Sequence, residues 1–129
     1  METTTKIAVY MNHFLANLIH FSSEAKQIKI IKSGFNQFEK QKILQKGESH
    51  LHNKEQDLQI KFYNEIGNNC LNHSRLLLFG PTTAKTELQT ILSNNNRFSE
   101  VEITIKNTDK LTPNEQIAFV NNYFYIDKV

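Results

Sequence analysis

A short stretch after an apolar run holds the residues whose types and spacing could bind phosphate. It reads Gly80-Pro81-Thr82-Thr83-Ala84-Lys85-Thr86. The stretch has the composition of a nucleotide-binding P-loop, but it is one residue short, and Ala84 stands where the motif has the glycine before its lysine. Its backbone cannot form the usual nest around a β-phosphate, so nucleotide hydrolysis is not supported. At a helix N-terminus, Thr82, Thr83 and Lys85 could still hold one phosphate of RNA. Ordinary helix capping with a solvated lysine is the alternative.

Three histidines are the next candidates for chemistry. His50 and His52 form a His-x-His pair just before a predicted helix, and His13 could lie on the same edge of the fold. Three imidazoles could bind zinc. No acidic ligand accompanies them, however, and two histidines in a polar loop are more often solvated. We therefore expect neither a metal nor another cofactor.

The patterns of the common hydrolytic enzymes are absent from the sequence. A nuclease with two divalent ions needs several carboxylates, typically beginning with one on the first strand. The predicted first strand, Lys6–Met11, holds none, and Asn12 follows it. The serines lack an elbow motif, and no Ser-His-Asp spacing is visible. We expect a protein that is not an enzyme.

Positive charge is concentrated in one segment. The net charge of the chain is +2, yet residues 26–54 contain seven lysines against two glutamates. The segment could be a solvated loop, or it could contact a polyanion such as RNA. In the second case lysines would neutralise phosphates and histidines would stack on or hydrogen-bond to unpaired bases. These candidate side chains are Lys40, Lys42, Lys46, Lys85, His50 and His52.

The composition predicts one domain over residues 1–129. Hydrophobic residues make up 39% of the chain and glycine and proline are scarce, which excludes disordered and collagen-like classes. The start lacks the pattern of a signal peptide, and no apolar run approaches the roughly 20 residues that span a bilayer. The single cysteine, Cys70, agrees with a reducing compartment and has the spacing of a core residue. We expect a cytoplasmic protein without a membrane partner.

Hydrophobic periodicity predicts the element order β-β-β-α-β-α-β-α. Residues 53–56 have the form of a capping box and place the first helix start at Asn53, and residues 112–115 do the same for the last helix. Two strand-helix units after three antiparallel strands favour an α/β fold with a mixed five-stranded sheet of order 3-2-1-4-5. Strand 2 would run against the others and helices would cover both faces, as in ribonuclease H-like folds. The predicted strands cover residues 6–11, 15–21, 27–32, 74–79 and 101–105.

In that arrangement the carboxyl ends of strands 1, 3, 4 and 5 share one edge of the sheet, which we call the rim. The rim would carry Asn12, His13, the start of the basic loop after strand 3, residues 80–83 and residues 107–108. All three helix N-termini would open there, and the switch point between strands 1 and 4 is where such sheets usually bind ligands. Free amide donors and helix dipoles at such an edge favour anions.

The element order and the stretch Leu76-Leu77-Leu78-Phe79-Gly80-Pro81-Thr82-Thr83-Ala84-Lys85 resemble the central domain of the peptide-chain release factor and Pelota family of eukaryotes and archaea. In that family a strand ends in Gly-Pro, followed by a small or hydroxyl residue and a lysine before a helix. The resemblance extends from about Lys6 to Phe124. It implies a ribonuclease H-like fold and a short, stand-alone bacterial translation-related protein.

The release factors of that family carry Gly-Gly-Gln between the third strand and the first helix. This chain has Gln45-Lys46-Gly47-Glu48-Ser49-His50 in the corresponding place and no Gly-Gly-Gln anywhere. The resemblance therefore does not extend to peptidyl-tRNA hydrolysis. It implies a ribosome-associated module closer to the rescue or hibernation members.

These observations favour a non-catalytic protein that binds ribosomal RNA or tRNA through the rim and the basic segment. A protein-interaction module is the alternative, a homodimer among its forms, with residues 35–44 docking on the partner. A small hydrolase that uses His50 or His52 is a further alternative. We expect no DNA partner.

Overall fold

The computed structural model describes residues 6–22, 24–33, 48–71 and 73–127, with the backbone alone at 48–56 and 125–127. The strands of this part form a five-stranded sheet of order β3-β2-β1-β4-β5. β2 is antiparallel to β1 and β3, while β4 is parallel to β1 and β5. The predicted α/β class and ribonuclease H-like strand order are confirmed. The strands are β1 Lys6–Met11, β2 Leu15–Phe21, β3 Ala25–Lys32, β4 Arg75–Gly80 and β5 Glu102–Asn107.

Helices lie on both faces of the sheet. They are α1 Glu48–Cys70, α2 Ala84–Ser93 and α3 Pro113–Asp127, and a 3-10 turn at Asn96–Phe98 leads into β5. All of β1 is buried, because alternate side chains of this strand face opposite cores. One core joins Ile7, Val9 and Met11 to α1 and α2. The other joins Ala8 and Tyr10 to α3.

The buried residues of the helices recur at helical spacing. Phe62, Ile66 and Cys70 of α1 are buried against the sheet, and burial raises the pKa of the Cys70 thiol to about 12. A thiol that stays protonated in a core is a packing group and not a nucleophile. On the opposite face, Val120 and Phe124 of α3 are buried as the spacing predicts.

The two predicted capping boxes have different outcomes. At α3 the box forms: the Thr112 amide donates to Glu115 Oε1 at 2.9 Å, and the Glu115 amide donates to Thr112 Oγ1 at 3.2 Å. The box predicted at Asn53 is wrong, since α1 already begins at Glu48. No proline or glycine stands between Glu48 and Asn53 to stop the helix, so it extends back to the residue after Gly47.

β3 is an edge strand with an irregular register. Ala25 and Ile31 are buried, whereas the other residues of the strand are exposed. Leu18 pairs with Lys29 and Ile19 pairs with Gln27, so Ile28 is an extra residue in a β-bulge. Bulges and lysines on an edge strand hinder its pairing with other chains.

No helix among the described residues is both long enough and apolar enough to cross a membrane.

Candidate functional site

The strand ends that were expected to share the rim lie together in the structure. Gly80, at the end of β4, has a φ of +146°, and a Cβ at this position would clash with the Met11 carbonyl oxygen. Glycine is therefore required where β4 turns past the end of β1. The Thr108 amide donates to the Gly80 carbonyl at 3.1 Å, which fixes the end of β5 to the same place.

Asn12 closes the hairpin between β1 and β2. Its Oδ1 accepts hydrogen bonds from the amides of Phe14 and Leu15 at 2.8 and 2.9 Å. The Asn12 amide donates to the Leu15 carbonyl at 3.0 Å. This is an Asx turn, so the side-chain oxygen of Asn12 has a structural role at the rim.

A polar cluster at the switch point between β1 and β4 centres on the carboxylate of Glu87. His13 Nε2 lies 3.2 Å from Glu87 Oε2, and Tyr63 donates its hydroxyl to Oε1 at 2.7 Å. The Thr83 hydroxyl lies 3.4 Å from Oε2. Gln59 of α1 donates to the His13 carbonyl at 3.3 Å. The cluster joins the β1–β2 turn to α1 and to the first turn of α2.

The electrostatics of this cluster follow from these contacts. Burial alone would raise the pKa of Glu87, but hydrogen bonds from Tyr63 and His13, the charge of His13 and the Thr83 hydroxyl outweigh it and lower that pKa below its ordinary value. Burial, and then the hydrogen bond to Glu87, raise the pKa of Tyr63. Glu87 is thus a stable carboxylate at neutral pH. Its negative charge makes this point of the rim less favourable for an anion than the sequence suggests.

The Gly-Pro-Thr-Thr stretch is largely occupied by its own hydrogen bonds. The Ala84 amide donates to Thr82 Oγ1 at 3.3 Å. Thr83 is the N-cap of α2 but makes no side-chain capping bond. Lys85, expected at the surface, is only 2% exposed, and its amino group donates to the Thr82 carbonyl. Burial lowers the pKa of Lys85. The buried Lys85 side chain therefore stabilises the turn at Thr82 through this hydrogen bond.

The remaining predicted ligands lie elsewhere. His50 and His52 were expected in a loop, but they lie within α1. Lys40, Lys42, Lys46 and the segment 35–44 lie outside the described residues.

The basic character of the segment is visible at β3. Lys26, Lys29 and Lys32 are exposed, and the strand contains no acidic residue. At the rim, Lys32 and Lys61 of α1 line a pocket of about 200 Å³. Within the described ranges, no group of three or more histidine, cysteine, aspartate or glutamate side chains could hold a metal ion.

Three site residues were not found from the sequence. Glu87 and Tyr63 come from different helices and meet only because both helices cross the same sheet face. Phe14, in the turn between β1 and β2 at the rim, is 52% exposed. A phenylalanine beside Asn12 and His13 in a turn is the signal that could have identified it, since turns seldom need a large apolar side chain.

No protein-family model and no curated protein matches the sequence. Solved structures of similar fold do match. Pelota from Archaeoglobus fulgidus has a TM-score of 0.64 and 10% identity, over 98% of this chain and 33% of that chain. Pelota from Thermoplasma acidophilum has a TM-score of 0.60 and 16% identity, over 92% of this chain and 32% of that one. The archaeal translation termination factor aRF1 has a TM-score of 0.54 and 12% identity, over 98% of this chain and 42% of its own.

The chain spans about a third of the length of these Pelota proteins. The likeness nevertheless extends over nearly the whole of this chain, with the strand order expected from the resemblance. In fold, this chain is a Pelota- and aRF1-like domain.

Proposed function

We propose that this chain is a non-catalytic, translation-related protein that associates with the ribosome by binding ribosomal RNA or tRNA. The observation that carries the proposal is the fold likeness to Pelota over 98% of the chain, at a TM-score of 0.64. A second relative in fold is named a translation termination factor. A role in ribosome rescue or hibernation is the form that we favour, because the Gly-Gly-Gln of the release factors is missing.

The surface chemistry supports RNA as the ligand. Lys26, Lys29 and Lys32 form an exposed basic strand, and Lys40, Lys42 and Lys46 follow it in the sequence. Exposed lysines in and after one edge strand suit contact with a phosphate backbone. We place the main RNA contact on this basic segment, together with His50 and His52.

The other predicted residues of the rim support RNA binding indirectly in this proposal. His13 lies beside the RNA-binding edge, with its ring oriented by Glu87. Asn12, Thr82, Thr83 and Lys85 hold the turns that shape the rim. Substitutions at these four positions should therefore act on RNA binding through the turns.

Sedimentation of purified protein with ribosomes tests the proposal. We expect the protein to pellet with ribosomes at low salt and to be released as salt rises, because phosphate contacts release counterions. Lys29→Glu should reduce the pelleted fraction and flatten the salt dependence. Arg97→Glu is the matched control, since Arg97 is an exposed cation on the 3-10 turn at the opposite edge of the sheet. Protein that stays in the supernatant at low salt would refute the proposal.

A specific observation favours a second function, that of a protein-interaction module. Ile28 and Ile30 of the edge strand β3 are 52% and 46% exposed. Exposed apolar side chains such as these can pack against the same side chains of a second copy. Light scattering should then give a dimer mass that Ile30→Lys returns to the monomer. A monomer at all concentrations would exclude the homodimer.

A further inference from the structure

A pocket of about 200 Å³ opens where the end of β3 meets α1. It is lined by Lys32, Leu58, Lys61, Phe62 and Glu65. Lys32 and Lys61 are exposed, so their amino groups can reach a ligand from solvent. Two ammonium groups and one carboxylate give the pocket a net positive charge at neutral pH. Leu58 and Phe62 supply an apolar wall.

Phe14 is fixed beside this pocket by its backbone. Its amide donates to Asn12 Oδ1 at 2.8 Å, and its carbonyl accepts from the Ser33 amide at 2.8 Å. Ser33 directly follows Lys32, and Lys32 pairs with Leu15, the neighbour of Phe14. The backbone of Phe14 is therefore held next to the strand end that carries a pocket lysine.

The Phe14 side chain is much more exposed than the phenylalanines of the two cores. Phe14 is 52% exposed, whereas the fully packed phenylalanines Phe21, Phe62, Phe79, Phe98 and Phe124 are at most 5% exposed. The cluster around Glu87 does not use the ring, and neither core includes it. Proteins bind unpaired nucleotides with an exposed aromatic ring that stacks on a base and with lysines that contact phosphate. Phe14 follows this pattern, since its backbone adjoins the strand end at Lys32, which lines the pocket together with Lys61.

We propose that Phe14, Lys32 and Lys61 form a binding site for an unpaired nucleotide of single-stranded RNA. The base stacks on the Phe14 ring and its phosphate lies between the two amino groups. This inference rests on the proposed RNA-binding function and names the residues and the kind of RNA. A duplex does not fit, because its bases are already stacked and cannot present a free face to Phe14.

The position of Glu65 in the pocket predicts opposite effects of two charge changes on RNA binding. Its carboxylate lines the same pocket as the two lysines and repels an incoming phosphate. Glu65→Gln should therefore strengthen binding of RNA, whereas Lys61→Gln should weaken it.

The chain contains no tryptophan, so Phe14→Trp introduces a single fluorescent reporter at the proposed stacking position. Single-stranded octa-adenylate RNA should quench the emission of this variant, since the base stacks directly on the indole. Asn96→Trp is the control, because Asn96 is also exposed but lies on the 3-10 turn at the opposite edge of the sheet, away from the basic strand. A quench in the Phe14→Trp variant with little change in the control variant supports the site. Equal responses in both variants overturn it.

Affinity gives the second measurement. Phe14→Ala should weaken octa-adenylate binding by at least about fivefold, the lower end for the loss of one base-aromatic stack. The substitution removes an exposed ring, so circular dichroism should show an unchanged fold. Unaltered affinity, or equal binding of octa-adenylate and a double-stranded RNA of the same length, overturns the site. Quenching of the Phe14→Trp variant by poly-glutamate would overturn it as well, and would assign the surface to an acidic peptide.

These outcomes are separate from those of the ribosome experiment. If the protein pellets with ribosomes but Phe14→Ala leaves octa-adenylate binding unchanged, the nucleotide site is refuted and the proposed function stands. If octa-adenylate quenches the Phe14→Trp variant but the protein does not pellet with ribosomes, the site stands and the ribosomal role is refuted.

Discussion

A single carboxylate, Glu87, joins three elements that are far apart in the sequence. It contacts His13 of the β1–β2 turn and Tyr63 of α1 from its own position in α2. Each contact favours the charged carboxylate, which is why the pKa of Glu87 is lowered despite partial burial. Protonation of Glu87 at low pH should therefore weaken the contacts that hold these three elements together at the rim.

Glu87→Gln tests how the stability that Glu87 contributes depends on pH. Because the folded-state pKa of Glu87 is lowered, its carboxylate contributes stability above the ordinary pKa near 4.5, and this contribution is lost as pH falls through the folded value. The side chain is 47% exposed, so solvent screening limits the effect to under about 1 kcal/mol. In urea unfolding, the wild type should exceed Glu87→Gln in stability at pH 6, and the difference should shrink at pH 3.

Tyr63→Phe serves as the control for that measurement. It removes one hydrogen-bond donor to Glu87. Because the two groups contact each other, the loss of stability in the Tyr63→Phe/Glu87→Gln double variant should be smaller than the sum of the losses in the two single variants. A difference between wild type and Glu87→Gln that is the same at both pH values would contradict the assignment.

Lys85 shows what the sequence could have predicted at the level of one residue. It lies three and seven positions before Leu88 and Leu92, which places all three on one face of α2. That face is buried, and the long lysine side chain reaches back to the Thr82 carbonyl. The spacing in the sequence is therefore enough to predict that Lys85 lies on the buried face of α2. Glu87, by contrast, is on another face of α2, and its partners come from elements whose positions only the sheet determines.

The start of α3 is an element that the sequence predicts well, because its stabilising contacts are local. Thr112 and Glu115 exchange two hydrogen bonds across the first turn. Thr112→Ala removes the acceptor for the Glu115 amide and should lower the free energy of unfolding by about 1 kcal/mol. Thermal or urea unfolding followed by circular dichroism measures the loss.

Thr90→Ala is the matched control for the cap. Thr90 lies inside α2, where its hydroxyl donates to the Thr86 carbonyl and is exposed. Alanine is a better helix former at such a position, so stability should stay equal or rise slightly. Equal losses for the two substitutions would show that the Thr112 contacts do not act as a cap.

Elements whose limits depend on tertiary contacts were predicted less well. The box at Asn53 has the right residue types, but the helix continues through it, so residue types alone do not locate a helix start. In β3, the β-branched residues predict a strand but give no sign that Ile28 is an extra residue, because a bulge depends on how β2 pairs with its neighbour. The strand order, in contrast, followed from the element order and the handedness of the crossovers.

The whole molecule has two cores that share the same central strands. Leu76 and Leu78 of β4 face α1 and α2, whereas Leu77 and Phe79 face α3. A loss of packing on either face should therefore loosen the strands on which the other face depends. We expect one cooperative unfolding transition for both faces, as is usual for chains of this size.

Leu88→Ala and Phe124→Ala test this coupling from opposite faces of the sheet. Both side chains are at most 1% exposed, so each substitution leaves a cavity and should cost about 2–5 kcal/mol. Each should shift the whole transition, with circular dichroism and tyrosine fluorescence giving the same midpoint. Ile28→Ala, at a position 52% exposed, should change the midpoint little. If Phe124→Ala does not fold, Phe124→Leu keeps the comparison with a smaller cavity. Two separate transitions in either variant, one for each face, would show that the shared strands do not couple the cores, and the molecule would then have to be treated as two units on one sheet.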